Sequence, residues 1–83
     1  MVMSPTIHRE RGYIVRLYID DHEPPHVHVR CEGREAKIAL GDEAVAPYVL
    51  NPGRMGNHEL REAARVVIRY QAQFIEEWRK YNG

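Results

Sequence analysis

The sequence predicts an α+β domain: an antiparallel sheet of three to five strands with one long C-terminal helix packed on one face. Three observations predict it. Apolar and polar residues alternate through the first half of the 83-residue chain, which is the period of half-buried strands. The pairs Arg11-Gly12 and Glu32-Gly33 punctuate those runs as turns. From Asn57 onward the apolar residues recur every three or four positions, as on a helix that lies against a core. Eighty-three residues suffice for one domain with one modest core, so residues 1–83 are expected to form a single unit.

Thr6–Glu10 and residues 12–20 both have strand-compatible composition. In the second run Tyr13, Val15, Leu17 and Ile19 alternate with Ile14, Arg16, Tyr18 and Asp20. His26–Cys31 sets Val27, Val29 and Cys31 against His26, His28 and Arg30, and residues 34–40 set Ala36, Ile38 and Leu40 against Glu35, Lys37 and Ala39. A slip of one residue would send every apolar side chain to the wrong face, so parity selects the register. Pairing Asp20 with His26 places Ile19 opposite Val27, Leu17 opposite Val29 and Val15 opposite Cys31. Pairing Arg30 with Glu35 places Val29 beside Ala36, Val27 beside Ile38 and His28 beside Lys37. Both hairpins then bury the same face. In the first strand either Ile7 or the pair Thr6 and His8 points inward. Residues 47–50 read as a short edge strand and residues 51–56 as a loop. Leu60, Ala63, Ala64, Val67, Phe74, Trp78 and Tyr81 share one stripe of a helix that runs to about Lys80. Asn57 is the expected N-cap, and Glu59 suits the positive end of the helix dipole.

Twelve basic and twelve acidic residues give a formal charge of zero and a pI near 7.0, so no bulk attraction to nucleic acid or anionic membrane follows. Any such affinity must come from a local patch. A single cysteine, Cys31, excludes an intramolecular disulfide and a four-cysteine zinc site. Its parity places it with Val27 and Val29 in the core, which makes it a poor ligand. The start of the chain has no apolar run of leader length, and no stretch approaches a membrane span. The expectation is a soluble, cytoplasmic protein with no membrane partner.

One helix covers one face of a sheet. The other face, with Arg16, Tyr18, Asp20, His26, His28, Arg30, Glu35 and Lys37, is then left open. Its densest chemistry is Asp20-Asp21-His22-Glu23-Pro24-Pro25-His26-Val27-His28, where two prolines stiffen the turn and forbid helix. His26 and His28 project from the same side of a strand, and His22 or Asp20 would complete a three-ligand site for zinc or another divalent transition metal. The same residues suit metal-free acid/base work, because histidine titrates near neutrality and a carboxylate such as Asp20 can orient it. The catalytic candidates are therefore His22, His26, His28 and Asp20. Arg16, Tyr18, Arg30 and Lys37 are the candidate binding residues. Against all of these stands the plain reading of a polar sheet face with surface histidines. On the helix, Arg61, Arg65 and Arg69 form a basic ridge, which Glu62 partly neutralises through Arg65 and which reads as a solvated face.

Ser4-Pro5-Thr6-Ile7, the segment from His22 through Pro24-Pro25-His26-Val27-His28-Val29, Glu35-Ala36-Lys37-Ile38 and Trp78-Arg79-Lys80-Tyr81 together resemble an uncharacterised bacterial family, domain of unknown function 4160. The resemblance covers nearly the whole chain. It implies a component of a toxin and antitoxin type operon, encoded beside a second small protein, and it transfers no catalytic residue. The leading expectation is thus an interaction module that binds a small partner protein through the open face, with nucleic acid or a second copy of the chain as further candidate partners. The alternative is a histidine-based or metal-dependent ribonuclease or phosphodiesterase on the same face.

Overall fold

Two tight turns organise the first half of the chain. Arg11 and Gly12 have φ of 49° and 85°, and Glu32 and Gly33 have 50° and 79°. Two successive positive φ values give the hairpin turn whose twist matches that of its strands, and glycine takes the second position without a Cβ penalty. The computed structural model describes residues 4–19 and 22–82. Its elements are β1 (Thr6–Glu10), β2 (Tyr13–Arg16), β3 (His26–Cys31), β4 (Arg34–Ala39), β5 (Tyr48–Asn51), α1 (Asn57–Arg69) and α2 (Gln71–Asn82). The strands form one five-stranded antiparallel sheet in sequence order.

The hairpin of β3 and β4 has the register that parity predicts, with Arg30 on Glu35, Val29 on Ala36, His28 on Lys37 and Val27 on Ile38. The pairing of β2 with β3 differs. Val15 lies opposite Val29, not Cys31, and Arg16 lies opposite His28. The shift is two residues, so the same side chains still face the core. It arises because β2 ends at Arg16 and residues 17–25 form a longer connection, in which the Leu17 N–H donates to the Pro5 carbonyl at 3.0 Å. The predicted partner of His26, Asp20, lies outside the described residues. In β1 the register shifts between Thr6 and His8. Such a bulge lets neighbouring residues face the same way. Ile7 packs against the core, and the His8 ring meets Tyr70 at 4.3 Å and Phe74 at 5.8 Å.

The single long helix of the sequence reading is two helices, broken at Tyr70 with φ −111° and ψ 22°. The apolar stripe could not reveal the break, because Val67 and Phe74 are seven residues apart and neither glycine nor proline marks the join. The cause lies in tertiary contacts. Tyr70 rests on His8, and the Gln71 side-chain amide donates to the carbonyls of Leu40, Asp42 and Val45 at 2.8, 3.0 and 3.2 Å. Helix α1 also begins one residue sooner than predicted. Gly56 is its N-cap, and Glu59 accepts the Gly56 N–H at 3.1 Å.

Val15, Leu17, Val27, Val29, Ile38 and Leu40 are fully buried against Ala63, Val67, Phe74 and Trp78. Ile19, predicted to join them, is only half-buried, since it belongs to the connection and not to β2. The irregular register between β4 and β5 sets Lys37 on Asn51 and Ile38 on Val49. After β5 the chain turns at Gly53, with φ 59°, where any Cβ would strike the Glu35 carbonyl.

Candidate binding face

Cross-strand pairing fixes two rows on the face turned away from the helices. One row runs Arg9, Ile14, Arg30, Glu35, and the next runs Arg16, His28, Lys37, Asn51. The rows are two residues apart along each strand, roughly 7 Å. Among the described residues four cations thus share these two rows with one carboxylate, that of Glu35.

Tyr18, just past the end of β2, ties this face together. Its ring lies flat on that of His28, with centroids 3.9 Å apart and planes within 10°. Its hydroxyl donates to Glu35 Oε2 at 3.2 Å, and the same oxygen is 3.3 Å from His28 Nδ1. His26 Nδ1–H donates to the Pro24 carbonyl at 2.7 Å, because a carbonyl can only accept. Its ring meets His28 edge-on at 5.1 Å and Trp78 at 5.3 Å. These contacts leave His26 3% and His28 7% exposed, with Ala39 beside them also buried. The expectation of a wholly uncovered face therefore holds for Arg9 and Arg30, which are exposed, and fails for the two histidines, while Arg16 and Lys37 are half-buried.

The cations of the two rows differ from four of those on the helical side. Arg9, Arg16, Arg30 and Lys37 form no ion pair among the described residues. By contrast, Arg34 pairs with Glu59 at 2.6 Å, Arg69 with Glu10 at 2.6 Å, Arg65 with Glu62 at 2.9 Å and Lys80 with Glu77 at 3.3 Å. The basic ridge on α1 is neutralised at Arg65 by Glu62, as its sequence suggests, and at Arg69 by β1. Hydrogen bonds from His8 and then Arg69 hold the Glu10 carboxyl below its ordinary value of 4.5. Arg34 and then the Gly56 N–H do the same for Glu59.

Of the sequence candidates, His26 and His28 come together and join Arg16, Tyr18, Arg30 and Lys37 on one face. His22 is exposed, and Asp20 lies outside the described residues. Among the described residues no three histidine, cysteine, aspartate or glutamate side chains are grouped to hold a metal. Cys31 packs beside the core. Burial, then Glu32 and Glu59, push its thiol pKa up, so it is no ready nucleophile. Sequence reasoning missed Arg9. The signal was present: extending the Arg11-Gly12 hairpin by one pair puts Arg9 opposite Ile14. A groove of about 990 Å³ between residues 42–44 and α2 shares no residue with this face.

Residues 12–79 match the family described as a domain of unknown function (DUF4160). The chain belongs to that family. The match to DUF4160 runs from the first turn into α2 and takes in Arg16, Tyr18, His26, His28, Arg30, Glu35 and Lys37, while Arg9 lies before it. No curated protein and no solved structure matches the chain. Among the described residues, no helix of this DUF4160 chain is long and apolar enough to cross a membrane.

Proposed function

We propose that this chain is a binding module that takes up an anionic partner on its open sheet face. One observation carries the reading: among the described residues the four cations of that face form no ion pair, whereas Arg34, Arg65, Arg69 and Lys80 on the helical side are each paired, leaving Arg61 and Arg79 as the helices' unpaired cations. An unpaired cluster on a chain with zero net charge is a local attraction, strongest at low salt. The small partner protein of a toxin and antitoxin type operon fits this reading where it presents an acidic surface. Burial of His26 and His28 speaks against the hydrolytic alternative. Glu35 stands where an orienting carboxylate would, but Tyr18 lies over the imidazole that a substrate would have to reach.

Retention on immobilised heparin tests the reading. The wild-type chain should be retained at low salt despite its neutral charge. A variant with Arg16→Ala, Arg30→Ala and Lys37→Ala should flow through with an unchanged melting temperature. A control with Arg61→Ala and Arg79→Ala should stay bound. Equal loss in both variants would remove the sheet face from consideration.

A further inference from the structure

The anion-binding face also carries rings, and the two features together narrow the partner. Tyr18 and His28 already form a parallel stack in the middle of the patch. Tyr18 is its more accessible member, being half-buried where His28 is buried. At the sheet edge Tyr48 pairs with Ala39, which pairs with His26, so Tyr48 stands on the same face. It is 47% exposed. Between the two tyrosines lie β3 and β4 with Arg30 and Lys37, and Arg16 borders Tyr18 from β2.

An acidic protein surface would use the cations and leave the rings idle. A nucleic-acid duplex would present phosphates and keep its bases stacked out of reach. A single strand offers both at once, since unstacked bases can lie on aromatic rings while phosphates meet arginine and lysine. Resting on the reading of this face as an anion site, we infer that its ligand is single-stranded nucleic acid. Bases stack on Tyr18 and Tyr48, and phosphates are held by Arg16, Arg30 and Lys37, with Arg9 at the margin. No carboxylate other than Glu35 opposes a phosphate in the two rows, and Glu35 is engaged by Tyr18 and His28. Stacking of this kind is tolerant of base identity, so little sequence preference follows.

Fluorescence anisotropy with the full chain tests this, using labelled twelve-nucleotide U and dT strands, a duplex of the same length and a polyglutamate peptide. The U or dT strand should bind more tightly than the duplex or the peptide. Each phosphate contact contributes about −0.7 to the slope of log K against log salt, so three or four cations give a slope of roughly −2 to −3. Lys37→Ala should flatten it by about 0.7. Tyr48→Ala, at an exposed position where folding is not at risk, should weaken strand binding by about five-fold or more. Tyr18→Ala should reduce it as well, since the stacking ring is lost. Polyglutamate bound as well as U or dT, with both tyrosine variants silent, would overturn the nucleic-acid inference and leave an acidic protein on the same face. Binding of none of the four probes would overturn both readings.

Discussion

The two faces of the sheet are built from the same strands and are organised in opposite ways. On the helical face Val15, Leu17, Val27, Val29, Ile38 and Leu40 are fully buried, and the charges at its rim, Arg34 with Glu59 and Arg69 with Glu10, are paired. On the other face the aliphatic content of the two central rows is Ile14 alone, and among the described residues their cations form no ion pair. Free energy of folding therefore concentrates on one side and unspent electrostatic attraction on the other. His26 is the exception that joins them, with one ring neighbour on each side, His28 and Trp78.

The sharpest way to break this contrast is to remove a ring from the buried side. Phe74 is fully buried, and Phe74→Ala should cost about 3–5 kcal/mol in urea unfolding. Val29→Ala should cost roughly 1–3 kcal/mol. A smaller effect is expected where the open face has structure of its own. Tyr18→Phe removes the hydroxyl bond to Glu35 and keeps the stack, for a loss of about 0.5–1.5 kcal/mol. Acid should act through the paired rim. The carboxyls of Glu10 and Glu59 have folded-state pKa values below the unfolded ones, so their stabilisation is present above the unfolded value and is lost as pH falls through the folded one. Glu59→Gln should flatten the fall of melting temperature below about pH 4.5. Smallest of all, Arg16→Ala should change stability by no more than about 0.5 kcal/mol. A loss from Arg16→Ala larger than that from Val29→Ala would reverse the assignment of the faces.

The faces were legible because parity is a local property of each strand: Val27, Val29, Ala36 and Ile38 alternate with polar residues, and alternation survives a two-residue change of register. The register of β2 against β3 was not legible for the same reason, as both choices bury the same side chains. Where β2 stops depends on Leu17 bonding back to Pro5, a contact between distant residues. The break at Tyr70 likewise depends on His8 and on three carbonyls around the loop after β4. For the site, residue types and their shared face could be read from the chain. That Tyr18 would lie on His28 and share Glu35 with it could not, because Tyr18 stands beyond the last paired residue of β2.

Gly53 has a consequence for how this domain tolerates change. The residue sits in the loop between β5 and α1 and carries no charge, and yet a Cβ at its position would strike the carbonyl of Glu35. Any larger residue must lift the loop or push back the strand that carries Glu35. A substitution here would act at a distance, altering the charge balance of the face without touching a charged residue. In a mutational scan scored on ligand capture, Gly53 would stand with the cations, while a scan scored on solubility would group it with the core.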